Sequence, residues 1–343
     1  MKHFIDSDID EIIKNTYDIL PFYKGKKILL TGGNGFLGRY FVEVFRRYNE
    51  IIKNPINLTV FDKNIDKSAN DKNIHFVKKD VSKKFYSKKK FNVIIHAAGI
   101  ASPFYYRKEP LETIEVTIQG IKNCLALAKK NKSKLIYFST SEIYGDPDSK
   151  NVPTNENYNG NVTSMGPRSC YDESKRLGET YCYIYNNYFD IHTNIIRPFN
   201  VYGPGMRQND YRIFPNFISN ILNNKALRIY GTGNQTRTYC YISDAIEGFL
   251  RVTALGKSGE AYNIGNTKPE ISVKEIVKIF KNLAKNKIKS KIIKYPSSYP
   301  KDEPQRRSPN INKAIKDLKY KPKVTLQKGL KNYLLWASEN YKF

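Results

Sequence analysis

The sequence predicts an α/β fold, a doubly wound parallel sheet followed by a smaller C-terminal α/β lobe. Three observations predict it. Short apolar runs alternate with longer segments of helical periodicity, the signature of strand–helix–strand units. A glycine-rich string, TGGNGFLG, lies between the first such run and the first such helix. The chain has 343 residues, 40% hydrophobic and 13% aromatic, enough for a sizeable core and against disorder.

The elements follow in order. The N-terminus, MKHFIDSDIDEIIKNTYDIL, carries acids where a secretory leader needs an apolar centre, so residues 1–24 read as a helical extension. Residues 27–31 (KILLT) read as a buried strand, and Phe36 to Tyr48 as a helix. Residues 57–61, 74–78 and 93–96 are the next three strands. Leu111 to Lys130 is helical, with Ile114, Ile118, Ile121, Leu125 and Ala128 on one stripe. Residues 135–139 form a fifth strand, Tyr171 to Tyr188 a helix, and residues 192–196 a sixth strand. Beyond Arg197 the pattern loosens, with Pro, Gly and Asn punctuating residues 198–210 and 231–236. The expected division is a cofactor domain over 1–197 and a mainly substrate-binding lobe over 198–343, with chain crossings between them.

Composition narrows the function classes. The formal net charge is +26. A basic face can serve nucleic acid or an anionic membrane, but the lysines are scattered, with only short clusters such as Lys88-Lys89-Lys90. The charge therefore reads as a solvated surface suited to a polyanionic small molecule, with neither nucleic acid nor membrane as partner. No apolar run reaches the roughly 18 residues of a membrane-spanning helix. Cys124, Cys170, Cys182 and Cys240 form no CxxC pair and no metal-ligand spacing. Reduced thiols in a cytoplasmic protein without a metal are the simplest reading.

Gly32, Gly35 and Gly38 have the spacing GxxGxxG. Surface turns also collect glycine, but here a strand precedes and a helix follows. In that setting the backbone can turn tightly and approach a pyrophosphate. Gly35, Phe36, Leu37 and Gly38 then open the helix whose free N–H groups face the phosphates. The sheet is thus expected to be Rossmann-type. Asp62 closes the second strand, about 24 residues after Gly38. A carboxylate there can accept the ribose hydroxyls and repel a 2′-phosphate, which favours NAD over NADP, although Lys63 stands beside it. Asp80 and Val81 follow the third strand and can reach the adenine. Ala97, Ala98 and Gly99 follow the fourth strand; they let the dinucleotide lie against the backbone, or form only a tight turn.

Tyr171 and Lys175 are spaced i, i+4 on a predicted helix and share one face. A free tyrosine, with a pKa near 10, is a poor base at neutral pH; a nearby ammonium favours its phenolate. The same lysine can hydrogen-bond the nicotinamide ribose. Thr140, ending the fifth strand, can hold the substrate hydroxyl that the tyrosinate deprotonates. Carboxyl ends of strands are where such sheets place ligands.

Together these motifs resemble the extended short-chain dehydrogenase/reductase family of nucleotide-sugar epimerases, dehydratases and decarboxylases. The resemblance runs from Lys27 to about Tyr341. It implies a tightly held NAD and transient oxidation of a sugar at C4, with Thr140, Tyr171 and Lys175 in the roles above. It also implies a homodimer built on the helix after the fourth strand and the Tyr/Lys helix. The apolar stripe of Leu111–Lys130 suits such an interface, but core packing explains it equally well.

Within the family, FSTSEIYGDP (138–147) has Ser141 where 4,6-dehydratases usually carry an acidic aspartate, and Glu142, which simple 4-epimerases usually lack. Thr-Ser-Glu resembles the UDP-glucuronate decarboxylases. So do GPRSCYDESKR (166–176), with Arg168 three residues before Tyr171, and GTGNQTRTYCYISD (231–244), with Arg237. DEPQRRSPNI (302–311) places Arg307 as the active-site arginine, and ASPFYY (101–106) ends on Tyr106. The resemblance implies that Glu142 and Arg307 flank the sugar C5. It sets Tyr106 near the substrate carboxylate, Ser141, Arg168 and Arg212 among the substrate-binding residues, and Asn200 and Arg237 at the diphosphate. One departure is Gly205 in RPFNVYGPGM (197–206), where these decarboxylases usually have arginine; Arg207 or Arg212 can compensate. The implied reaction converts UDP-glucuronate to UDP-xylose, or to UDP-4-keto-pentose if the ketone escapes. A 4,6-dehydratase or 4-epimerase of the same family is the alternative. A non-catalytic NAD-binding regulator would have no need of Thr140, Tyr171 and Lys175 together.

Overall fold

The computed structural model describes residues 3–65, 70–284, 288–294 and 304–342. Residues 1–2 of the N-terminal extension, and Asp302 and Glu303 of the segment that carries Arg307, lie outside the described residues. In the first half, α1 (Asp6–Asn15) and α2 (Leu20–Tyr23) precede β1 (Lys27–Thr31) and α3 (Phe36–Ile51). Then come β2 (Asn57–Asp62), β3 (Ile74–Lys78), β4 (Val93–His96), α4 (Pro103–Lys108), α5 (Pro110–Asn131) and β5 (Lys134–Phe138). A 3-10 turn over Ser141–Tyr144 leads on to α6 (Ser169–Phe189) and β6 (Thr193–Pro198). In the second half are β7 (Val201–Tyr202), α7 (Ile213–Leu222), β8 (Leu227–Tyr230), β9 (Thr236–Arg237), β10 (Cys240–Tyr241) and α8 (Ile242–Leu255). The chain closes with β11 (Ala261–Ile264), β12 (Ile271–Ser272), α9 (Val273–Leu283), β13 (Ser290–Ile293), β14 (Arg306–Arg307), α10 (Asn312–Leu318) and α11 (Leu326–Asn340).

Seven parallel strands form the central sheet in the order β3-β2-β1-β4-β5-β6-β11. The first six give the doubly wound Rossmann order, in which the direction of chain progression across the sheet reverses between β1 and β4. The strands are near-continuous apolar runs because helices cover both faces. On one face α3 buries Phe41, Val44, Phe45 and Tyr48 at helical spacing, with α8 beside it. Phe249 of α8 meets Phe41 and Phe138 ring to ring, closing the aromatic centre of this layer. On the other face α5 and α6 cover Leu29, Ile94, Leu135 and Tyr137.

The seventh strand is the element that sequence periodicity did not single out. Only four residues long, β11 returns from the second half to pair with β6. The N-terminal extension is helical as expected, and α1 packs on both α3 and α8. Small two- and three-stranded sheets organise the second half. The one that matters for the site is β12-β9-β14, in which β14 runs parallel to β9 and sets Arg307 opposite Arg237.

Candidate active site

The glycine-rich turn is shaped by close backbone approach. Gly32 has a φ of +77°, and a Cβ there would sit 2.7 Å from the Ala98 Cα. A Cβ on Gly38 would sit 2.2 Å from the Gly32 carbonyl oxygen. Any larger residue would force β1, the turn and the strand end of β4 apart. Gly35 caps α3, so the first free N–H groups of that helix point out of the turn. Asp62 is held at the end of β2 by two backbone donors, Asn34 N at 2.9 Å and Asn64 N at 3.0 Å. Its carboxylate therefore stands beside the turn rather than free in solvent. Lys63 is drawn away to Glu112 and, at 3.5 Å, to Asp80. Asp80 also accepts from the Ser82 amide and hydroxyl, while Val81 is buried against α5. Ala98 N lies 3.3 Å from the Thr31 hydroxyl. At Gly99 a side chain would begin 3.5 Å from Lys175 Nζ, so the missing Cβ leaves a cradle between turn and lysine. Glycine turn, helix end, carboxylate and cradle fit a dinucleotide.

The candidate catalytic residues converge at the carboxyl end of the same sheet. Tyr171 and Lys175 are buried on α6, and Thr140 is buried where β5 ends. The Thr140 hydroxyl hydrogen-bonds the Tyr171 phenol and accepts from Glu142 N at 3.2 Å. Lys175 Nζ donates to the Phe138 carbonyl at 2.7 Å and lies 5.9 Å from the Tyr171 ring centre. Burial pulls the lysine down to about 8, against the opposing charge of Glu179. Here the structure corrects an expectation. Burial raises the Tyr171 phenol above its ordinary value, and the Thr140 hydrogen bond only partly offsets this. Desolvation sets the direction, and the charges of Glu142 and Asp172 add to it. Tyr106 stacks flat on Tyr171, centroids 5.1 Å apart and planes at 5°.

Beside the phenol lies a buried ionic cluster. Arg307 grips Glu142 with both Nη atoms, each at 2.6 Å. Arg168 bonds the same carboxylate and reaches Asp172 at 3.4 Å through Nε. Burial pushes Glu142 up, but Arg168 and Arg307, with Arg237 behind them, outweigh it and keep it ionised. Burial and the Glu142 charge push Asp172 up. Ser141 is buried at the start of the 3-10 turn. Among the described residues the Nε of Arg307 and Oδ1 of Asp172 are buried without hydrogen-bond partners, which marks where a polar ligand group would be welcome.

Other expected residues are engaged in holding the frame. Arg237 donates to the backbone carbonyls of Thr236, Pro304 and Gln305, bracing the strand of Arg307. Asn200, at a φ of +44°, donates to the Thr238 carbonyl at 2.8 Å. Arg212 pairs with Asp210 at 2.6 Å, near enough for its charge to act on Tyr171. The departure at Gly205 has a physical reason. Its φ is +89°, and a Cβ would sit 2.5 Å from the His3 carbonyl oxygen, so the N-terminal extension occupies the room a side chain would need. Arg39 then ties the Gly205 carbonyl to that of Asn34 in the glycine turn.

Three neighbours of the site escaped sequence reasoning. Asn34 orients Asp62. His96 hydrogen-bonds Thr31 at 2.7 Å, and burial, then Lys175, pulls it down to about 3. Asp172 joins the ionic cluster. The string CYDES held a signal for the last, an acid beside the tyrosine on a mostly buried face. Among the described residues no group of three His, Cys, Asp or Glu could hold a metal ion.

A Rossmann sheet, a glycine turn with its carboxylate, and a buried Thr–Tyr–Lys set together define an NAD-dependent enzyme that oxidises a carbinol. Residues 28–265 match the NAD dependent epimerase/dehydratase family, and the chain belongs to it. It is 36% identical over 311 residues to UDP-glucuronic acid decarboxylase 6 of Arabidopsis thaliana, covering 90% of this chain and 88% of that one. It is 35% identical over 320 residues to UDP-glucuronic acid decarboxylase 1 of Danio rerio, covering 91% and 73%. Among solved structures it resembles UDP-glucuronic acid 4-epimerase of Bacillus cereus in complex with UDP-glucuronic acid and NAD. The TM-score is 0.75 and the identity 26%, over 92% of this chain and 100% of that one.

Proposed function

We propose that this enzyme decarboxylates UDP-glucuronate by way of transient oxidation at C4, yielding UDP-xylose or, if the ketone leaves early, UDP-4-keto-pentose. The observation that carries the reading is the Arg307–Glu142–Arg168 cluster beside Tyr171, with serine rather than a proton-donating aspartate at position 141. Residues 1–197 would hold the cofactor and 198–343 chiefly the sugar nucleotide. Gly32, Gly35, Gly38, Asp62 and Lys175 would hold NAD, with Asp80, Val81, Ala97 and Ala98 along its adenosine and nicotinamide halves. When bound, NAD supplies the hydride acceptor and a positive charge on its oxidised ring.

Thr140 positions the C4 hydroxyl and Tyr171 takes its proton. A C4 ketone makes the hexuronate a β-keto acid, so the C5–C6 electrons can move onto the C4 oxygen as CO2 leaves. The hydroxyls of Tyr171 and Thr140 stabilise that oxygen. Arg307 and Arg168, which hold Glu142 in place, draw the substrate carboxylate to this side, and the ionised Glu142 relays a proton from solvent water to C5. A planar guanidinium binds carboxylates with two parallel bonds, which an ammonium does not reproduce. Arg307→Lys should therefore cut the rate of CO2 formation by at least about tenfold while NAD affinity changes little. Equal losses of both, read by CO2 release and calorimetry, would take Arg307 out of this role.

A homodimer and a cytoplasmic location also fit. The outer surface of α6 exposes Leu177, Tyr183, Ile184 and Tyr188 beside α5. All four cysteines are free thiols, as a reducing compartment would keep them. Among the described residues no helix is long and apolar enough to cross a membrane.

A further inference from the structure

Three exposed or half-buried aromatic rings join the two halves of the chain, next in sequence to residues that reach Tyr171. Phe104, on α4 of the first half, lies 4.1 Å centroid to centroid from Tyr211, in the loop before α7 of the second half. The Tyr105 ring is 5.2 Å from Phe104 and 6.4 Å from Tyr211, and its hydroxyl donates to the Asn209 carbonyl at 3.4 Å. Phe104 is 37% exposed and Tyr211 54% exposed, so neither ring belongs to the core. Each is a close sequence neighbour of a residue at the chemistry. Tyr106, two residues beyond Phe104, stacks on Tyr171, and Arg212 follows Tyr211 and acts on the same phenol. Aromatic rings that pair across a cleft while staying wet hold its rims together without contributing to either core.

We propose that the Phe104–Tyr211 contact is a latch across the mouth of the active site that retains the decarboxylated ketone until it is reduced. The proposal rests on the decarboxylase reading above. At the stage concerned, the C4 hydrogen has left as hydride to NAD and the hydroxyl proton has gone to Tyr171. The C5–C6 bond has broken to release CO2, and C5 has gained a proton. Completion returns the hydride to C4 and a proton to O4. Escape before that leaves a 4-keto-pentose nucleotide, CO2 and reduced cofactor in equal amounts. Phe104 and Tyr211 thus set which of two products appears, without touching the bond-breaking atoms. Closure of this kind commonly excludes water and commits an intermediate to the forward path.

The test uses the NAD-loaded enzyme with UDP-glucuronate and counts CO2, UDP-pentose, UDP-4-keto-pentose and reduced cofactor in each reaction. Phe104→Ala and Tyr211→Ala should each raise the ratio of ketone to CO2 several-fold, with reduced cofactor appearing in step with the ketone. The double variant should go little further, because one contact is lost in all three. Phe104→Tyr, which keeps a ring, should restore the natural ratio. An unchanged ratio in variants that still release CO2 overturns the latch. Absence of CO2 from the unaltered enzyme is instead a failure of the decarboxylase reading, and the latch is then judged by the dissociation rate of UDP. Faster UDP exit from the alanine variants supports it, and an unchanged rate overturns it.

Discussion

Tyr171 sits in a paradox that only its surroundings resolve. Burial favours the protonated hydroxyl, although its proposed task is to accept a proton. Thr140 already pulls against burial, and Lys175 waits at the Phe138 carbonyl, its ammonium weakened to about 8. The phenol should become a base only once cofactor and substrate complete the site. Tyr171→Phe keeps the ring that stacks on Tyr106 and removes the oxygen. Turnover should fall by about 10²–10⁴, with NAD affinity nearly unchanged in calorimetry. A variant within a few-fold of the natural rate would place the base elsewhere. The spacing of Tyr171, Lys175 and Thr140 could be read from sequence because a helix period and a strand end are local features. Asp172 was within reach of the sequence too, because Arg168 stands four residues before it. His96 and Asn34 were not, since their partners Thr31 and Asp62 are fixed by strand pairing over long separations. The bracing contacts of Arg237 were hidden for the same reason. Its motif says nothing of the 304–305 carbonyls that claim it.

At the scale of elements, the predicted strands and helices of the first half recur within a few residues of the observed ones. Strong periodicity and glycine punctuation account for that. The short β9, β11 and β14 carry two to four residues each, too few for a period, and they owe their existence to their neighbours. The N-terminal α1 offers a test of packing. Asp8 is buried there and accepts from the Tyr241 hydroxyl at 2.6 Å. Burial pushes its carboxyl up to about 6, against the pull of that hydroxyl. A carboxyl raised in the folded state favours folding fully below its unfolded value, near 4. That contribution is lost as pH rises through about 6. The stability of Asp8→Asn relative to the natural chain should therefore rise between about pH 4 and pH 7, by roughly 2 kcal/mol. Urea titrations at both ends measure it, and a constant difference would contradict the assignment. On the opposite side, Tyr183→Lys in the exposed face of α6 should shift the mass in sedimentation from dimer to monomer. A natural chain that sediments as a monomer would end the dimer proposal.

For the whole molecule, the sheet brings together what the linear chain separates. The glycine turn follows β1, Asp62 ends β2 and Thr140 follows β5, all at carboxyl ends, and the β9–β14 pair delivers Arg307 from the far end of the chain to Glu142. The N-terminal extension takes part as well, filling the space beside Gly205 and so replacing a side chain with backbone. The family was legible in the motifs of the first half, but the choice of chemistry depends on this assembly, because it rests on which groups surround C5. The decisive measurement is the fate of UDP-glucuronate with the NAD-loaded enzyme, followed by CO2 release and by mass and NMR of the product. Stoichiometric CO2 should appear with a UDP-pentose or its 4-keto form, and neither UDP-glucose nor dTDP-glucose should be dehydrated. A 4-keto-6-deoxy sugar from either glucose nucleotide, with no CO2 from UDP-glucuronate, would contradict the decarboxylase reading.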